Sequence, residues 1–498
     1  MNEKIMKPLS WSDALCKPDQ TIAYIRSHSV HWQEPAPGEY NLEYSYNRRD
    51  WYALNGGNAI CLPFEGLLLS PEIVNMDAAG TEISIDDLRK LNAVYGAPEP
   101  IYLSKVEALD LSLSKTKYQL PERIRVEYTN GMEEDRMLAW NSTTAFIQEP
   151  RYPSPFIMHR ADPYIYKHTD GCYYFMGSHA DDTHNLDGKY QYLYLILRKS
   201  DTLTGLSDSE GNYEERIIWE RKPICSGTAS PHLWAPELHF IQGKWYVYYT
   251  TTISEESSWQ IRPHCLECCG SDPMTGMWID RGPVQTSIAG DIAFTDFSLD
   301  HTYFNHHGRD YFVWAQKTDN ISDIFIAELQ NPRTICTPAV SLSHPEYNWE
   351  RHGFAVNEGP SIIKHGTQIF ITFSASGTDA TYCMGLLSAE ADADLLDSAS
   401  WKKCPHPVFQ SSKAAGCYGP GHNSFVRSED DSEDLFVYHA RNDARYLGEA
   451  DYQPLYDAGR NAYVGKVFWN SDGTPAFSVP GAPIAYDPRH LKIHLTLE

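Results

Sequence analysis

Apolar and polar positions along this chain follow one scheme five times. A short segment with an acid or a histidine near its start leads, about ten residues on, into a Gly- or acid-flanked strand dense in aromatic and branched side chains. Ala161-Asp162-Pro163-Tyr164-Ile165 is followed by Gly171-Cys172-Tyr173-Tyr174-Phe175. Trp234-Ala235-Pro236-Glu237-Leu238 is followed by Gly243-Lys244-Trp245-Tyr246-Val247. Ser298-Leu299-Asp300-His301 leads to Gly308-Arg309-Asp310-Tyr311-Phe312, and Asn357-Glu358-Gly359-Pro360 to Gly366-Thr367-Gln368-Ile369-Phe370. The last copy is Gly419-Pro420-Gly421-His422-Asn423, then Glu433-Asp434-Leu435-Phe436-Val437. The lead residues Asp162, Glu237, Asp300, Glu358 and His422 are separated by 75, 63, 58 and 64 positions. Repeats of this size, each opening on a strand and a turn, predict an all-β fold, a five-bladed β-propeller. Such a fold brings the start of every inner strand to one axis.

The repeats run from near residue 155 to the end, which places the propeller in 151–498. Residues 1–150 carry other strand signals and predict a mostly β accessory region. Tyr40 to Tyr46 alternates, Trp51 to Leu62 holds a Gly56-Gly57 turn, and Ile124 to Tyr128 leads into Asn130-Gly131, a hairpin signal. Leu120 to Trp140 resembles a bacterial immunoglobulin-like repeat. Prolines at 150, 153 and 155 mark a linker, because proline cannot donate to a ladder. Helices should be scarce: Asp86 to Leu91 suits a turn or two, and Ala389 to Leu396 is the best helix candidate. The acid run Glu429 to Asp434 reads as a solvated hairpin loop.

The 498 residues carry a net charge of −25, which argues against nucleic acid and anionic membranes as partners, since both need a basic face. Neutral ligands meet no such barrier, and 32 Tyr with 13 Trp offer faces for strand packing or for sugar rings. The 11 cysteines form no regular framework. The Cys265, Cys268, Cys269 cluster lacks a second ligand pair for zinc. Free thiols, with no apolar run in Met1 to Gln20, lead to an expectation of a cytoplasmic protein.

Cleaving a glycosidic bond needs two carboxyl groups in different protonation states. Asp162, Asp300 and Glu358 come from three repeats and would meet at the axis. The segments HRADPYIYKHTDGCYYF, HLWAPELHFIQGKWYVYY, FSLDHTYFNHHGRDYFVWAQ, VNEGPSIIKHGTQIFITFSAS, YGPGHNSF and YHARN occur in order, starting at His159, along the run that extends to Pro480. Together they resemble family 43 of the glycoside hydrolases, and within it the α-L-arabinofuranosidase-like members.

The resemblance implies an inverting, exo-acting hydrolase that releases terminal α-L-arabinofuranosyl units from arabinan, arabinoxylan or derived oligosaccharides. Asp162 would be the general base, Glu358 the general acid, and Asp300 the acid that tunes and orients the donor. Inversion leaves room for one water, so base and acid should stand roughly 6.5–9.5 Å apart. Trp234 would stack on the sugar or belong to the core. Glu237 would bond a hydroxyl or neighbouring backbone, and Arg441 a hydroxyl or Glu358. His422 resembles the family's axial histidine, which in some members holds calcium or another ion through water. Calcium prefers oxygen ligands, which disfavours direct coordination. No organic cofactor is required.

The third segment departs from many relatives by placing His301 after the aspartate, where it either points away or narrows the pocket. A β-D-xylosidase on the same scaffold is the alternative reading. An endo-arabinanase would need an open groove, a fructan-processing propeller would carry other motifs, and a carbohydrate-binding propeller could dispense with an acid that this chain keeps.

Overall fold

The computed structural model describes 152–470 apart from 187–188, 210, 222–231, 255, 413–414, 445–453 and 457. Outside that stretch it describes 21–27, 39–40, 42–45, 48, 52–53, 60–61, 80–88, 91, 103–106, 109–113, 120–128, 133–141, 144–147, 472–478 and 493–497. Two compact units emerge: Met1–Arg151 with Ser412–Ala415 and Val467–Glu498, and Tyr152–Ser411 with Gly416–Lys466.

Among the described residues the second unit is built of five mainly antiparallel sheets laid down in chain order, with a further two-stranded sheet of Asp181–Leu186 and Lys189–Gln191. The first sheet runs Ala161–Lys167, Tyr173–Ser178, Tyr194–Ser200, Glu214–Glu220. The second runs Leu233–Ile241, Lys244–Thr252, Ile261–Cys269, Met277–Pro283. The third starts Ser298–His306, Arg309–Thr318, Ile321–Asn331, and the fourth Asn357–His365, Gln368–Ala375, Cys383–Glu390. The fifth is Tyr418–Arg427, Asp434–Arg441 and the part of Asn461–Trp469 that falls in this unit. First strands touch in series from sheet one to sheet five, and the fifth touches the first again.

The burial pattern explains the composition of each strand. Lys244–Thr252 and Gln368–Ala375 are buried on both faces after their first residue and therefore read as continuous apolar runs instead of alternating. Met176, Leu195, Val247, Leu266, Val313, Ile326, Ile371 and Leu387 from second and third strands share one core. Outermost strands such as Glu214–Glu220 and Lys402–Lys403 carry the charge that discourages edge-to-edge pairing. The hairpin at Gln242-Gly243 has φ of 49° and 83°, and the one at His307-Gly308 has 50° and 79°. Two successive positive values give the tight turn whose twist suits a strand pair.

One backbone device recurs in every first strand. The ladder slips between Ala161 and Tyr164, Trp234 and Glu237, Leu299 and His301, Glu358 and Ser361, and around Gly421. At each slip one residue takes a left-handed φ: Asp162 52°, Ala235 45°, Asp300 46°, Gly359 55°, His422 46°. A bulge of this kind re-aims a side chain out of the alternating pattern. It also corrects the phasing expected from sequence. The second-sheet counterpart of Asp162 is Ala235, not Glu237, and the fourth-sheet counterpart is Gly359, one place after Glu358.

Ala389 to Leu396 is not a helix. Its first two residues end Cys383–Glu390, which is paired throughout with Gln368–Ala375, and turns follow. Tertiary pairing overrides the local helix preference of the Ala/Glu/Asp/Leu run. The 429–433 stretch does link Tyr418–Arg427 to Asp434–Arg441.

The first unit is also mainly β among its described residues. Ile22–Ser27 pairs with Leu42–Ser45 and Thr81–Ser84, and Arg123–Tyr128 with Glu133–Asn141. Residues 85–88 form a helical turn. Ile493–Leu497 pairs in parallel with Leu109–Leu113. The Asn130-Gly131 turn and the Gly56-Gly57 turn lie outside the described residues.

Candidate active site

Asp162 is buried, and its carboxylate is gripped from several sides. Ser178 Oγ donates to Oδ2 at 2.5 Å and itself accepts from the Ala235 N–H at 2.7 Å. Arg460 Nη1 stands 3.4 Å from Oδ1, and His422 Nδ1 stands 3.3 Å from it. The Asp162 N–H donates to His439 Nδ1 at 3.0 Å, so that nitrogen is an acceptor and the imidazole neutral. Burial pushes His439 down to about 3, which agrees with the neutral form.

Burial alone would raise Asp162. Its neighbours win: His422 first, then the Arg460 guanidinium, hold its carboxyl well below the ordinary aspartate range. A unit charge 4 Å away is worth about 4 kcal/mol at an effective dielectric of 20, roughly a thousandfold in an ionisation constant. Asp162 is therefore a carboxylate at any working pH.

Asp300 and Glu358 are pushed the other way. Asp300 Oδ2 lies 3.5 Å from His422 Nδ1, which places this imidazole between two acids. Burial first, then Glu358 and Asp162, raise Asp300 well above its usual range. Glu358 is half-buried and accepts the Tyr382 hydroxyl proton at Oε1, 2.8 Å away. Desolvation raises it most, and the charge of Asp162 adds to that. Tyr382, Lys317 and Arg460 pull it down, and the balance is about 7.

The cluster thus holds one ionised carboxyl, Asp162, and two raised toward the protonated form, Asp300 and Glu358, the last keeping its proton to near neutrality. Gly359 makes the crowding possible: a β-carbon there would sit 3.1 Å from His422 Cγ, and its φ of 55° is costly for other residues.

The structure brings Asp162, Asp300, Glu358 and His422 together. Glu237 joins a separate buried network instead. Its Oε2 meets His239 Nε2 at 2.8 Å, and His239 Nδ1 meets the Tyr164 hydroxyl at 3.3 Å. Desolvation raises Glu237 well above its ordinary value, while Thr302 opposes it. Arg441 is buried and donates to the Pro454 carbonyl at 2.7 Å. The arginine on the acid cluster is Arg460, whose Nη2 also reaches the Tyr192 hydroxyl at 3.2 Å. Trp234 is 7% exposed and packs edge-on to Tyr192 at 5.8 Å.

His301 points away from the cluster. It stacks on Phe312 at 5.6 Å and 8°, edge-on to Tyr248. Sequence reasoning missed Ser178, Tyr382, His439 and Arg460. Among the described residues no group of three or more His, Cys, Asp or Glu is arranged to hold a metal ion.

Tyr382 offers a direct check on the electrostatics. It also stacks on His439 at 5.5 Å and 6°, which ties the partner of Glu358 to that of Asp162. Tyr382→Phe keeps that ring but removes the hydroxyl that favours ionised Glu358. The alkaline limb of kcat/KM should move to higher pH while kcat falls severalfold. A purely structural role for Tyr382 would leave the limb where it was.

Residues 152–475 match the family Glycosyl hydrolases family 43, and the chain belongs to that family. It is 43% identical over 348 residues to a protein of Streptomyces avermitilis named Extracellular exo-alpha-(1->5)-L-arabinofuranosidase, covering 68% of this chain and 67% of that one. A protein of the same name from Streptomyces chartreusis is 42% identical over 301 residues, 60% of this chain and 85% of that one. The crystal structure of alpha-L-arabinofuranosidase from Lactobacillus brevis aligns with a TM-score of 0.59 at 41% identity, covering 68% of this chain and 100% of that one.

The names of the Streptomyces proteins overturn the cytoplasmic expectation, which leaned on unpaired thiols and on the want of an apolar run in Met1 to Gln20. Cys265, Cys268, Cys383 and Cys417 are free and buried. A buried thiol behaves as a small apolar side chain shielded from oxidants, so its lack of a partner carries no information about compartment.

Proposed function

We infer that the protein is an α-L-arabinofuranosidase that removes terminal, non-reducing arabinofuranosyl units from arabinan, arabinoxylan or their oligosaccharides with inversion. The observation that carries this is the split in one carboxyl cluster: Asp162 is held ionised and Glu358 holds its proton up to about 7. Asp162 takes a proton from the attacking water as the water's oxygen bonds the anomeric carbon. Glu358 gives its proton to the departing oxygen as the glycosidic bond breaks. Asp300, held against Asp162 through His422 and close enough to Glu358 for their charges to interact, orients the pair.

The five sheets serve as blades of a closed propeller, supported by the serial contact of their first strands and the return of the fifth to the first. Their five left-handed bulges then lie around one axis. The protein works outside the cell, as the names of its Streptomyces relatives suggest.

The test is an initial-rate panel of nitrophenyl α-L-arabinofuranoside, nitrophenyl β-D-xyloside and linear 1,5-linked arabino-oligosaccharides, with NMR of the nascent sugar. Arabinosides should dominate, and β-arabinofuranose should appear first. Nascent α-arabinofuranose would refute inversion, and a preference for the xyloside would refute the substrate.

A further inference from the structure

Trp259 is 44% exposed, an unusual position for so large an apolar side chain, and it does not stand alone. Its ring lies 6.2 Å from Trp234, 5.1 Å from His232 and 6.2 Å from half-buried Phe297. Lys317 Nζ sits 4.4 Å over the Phe297 ring. Both ends of this row reach the acid cluster. From Trp234 the contacts run through Tyr192 to Arg460 and so to Asp162. At the other end, Lys317 is close enough for its charge to act on Glu358. The buried Trp234 Nε1 has no acceptor among the described residues. An unsatisfied buried donor is costly, so a hydroxyl offered there would be favoured.

We propose that Trp259 and Phe297 form a shelf for the leaving group, on which the sugar ring bonded to the scissile oxygen lies with its C–H face down. The general acid must be on the leaving-group side, because it protonates the bridging oxygen. In this row it is the Phe297–Lys317 end whose charge acts on Glu358. A sugar is the fitting occupant because its C–H face stacks on aromatic rings while its hydroxyls reach the Lys317 ammonium. The inference rests on the hydrolase reading above and adds that the chain selects for a sugar in the leaving group.

The experiment compares kcat/KM for 1,5-linked arabinotriose with kcat/KM for methyl α-L-arabinofuranoside, whose leaving group has no ring. In Trp259→Ala the ratio of the two should fall about tenfold, equivalent to about 1.4 kcal/mol, with KM for the triose rising. Trp259→Tyr should restore most of it, and Phe297→Ala should lower it in the same direction. A ratio within twofold of wild type in both alanine variants overturns the shelf while leaving the enzyme's activity in place. Should wild type release arabinose from neither substrate, the activity itself falls and the shelf with it. Thermal melts of each variant separate a folding loss, which would depress both substrates alike.

Discussion

Glu358→Gln should reduce turnover of arabinotriose by about three to four orders of magnitude, the upper range for losing a general acid. Glutamine keeps the side-chain length, and its carbonyl oxygen can still accept from Tyr382, so the pocket keeps its shape. What it lacks is a proton to give. The defect should therefore track the leaving group. A dinitrophenyl arabinofuranoside departs without protonation and should lose far less than the oligosaccharide.

The pH profile supplies a second signature. Wild type should lose activity as pH rises through about 7, where Glu358 gives up its proton. Glu358→Gln should lack that limb altogether, whatever rate survives. Losses of equal size on both substrates, with the alkaline limb intact, would move the acid role away from Glu358. The sign follows from the environment: burial and the Asp162 charge favour the protonated form, and protonated is the working form of an acid.

How much of this site could be read from the chain is itself a matter of backbone geometry. Asp162, Asp300 and His422 were legible because the left-handed bulge favours short polar residues such as Asp, and the repeat places one per sheet. In the second and fourth sheets Ala235 and Gly359 hold that position. The neighbouring acids then look like the repeat's lead residue without being in phase. Glu358 still reaches the cluster from one place earlier, whereas Glu237, two places later, enters the His239 network.

Ser178 closes the second strand of its sheet, Tyr382 directly precedes a third strand, and Arg460 directly precedes Asn461–Trp469. None carries a local motif. They matter only through pairing of distant strands. His439 was within sight, two residues from Arg441 in the quoted Tyr-His-Ala-Arg, but nothing in that segment says which of the two faces the acids. The sheet count and order were legible from turns and aromatic runs. The helix expected at Ala389 to Leu396 was lost to a partner strand that local preference cannot see.

Asp162→Asn should be as damaging as the loss of the acid, by a different route. The amide cannot take a proton from water, so the rate should fall by about three orders of magnitude or more with every leaving group, activated or not. That evenness distinguishes it from Glu358→Gln. Asparagine is the right probe because Asp162 sits at φ 52°, a conformation asparagine tolerates better than other non-glycine residues. Alanine would add backbone strain and confuse the reading.

The variant also removes the charge that offsets Arg460. Breaking one side of a buried ion pair costs about 3–5 kcal/mol, and the remaining Tyr192 contact leaves the guanidinium only partly compensated. A clear fall in Tm is expected, so rates must be taken well below the transition. With the carboxylate gone, both Glu358 and Asp300 lose a charge that raised them. Any residual activity should then show its alkaline limb at lower pH than wild type, opposite in direction to Tyr382→Phe. A limb that stayed in place would mean that burial alone sets the acid, and that Asp162 is not its electrostatic partner.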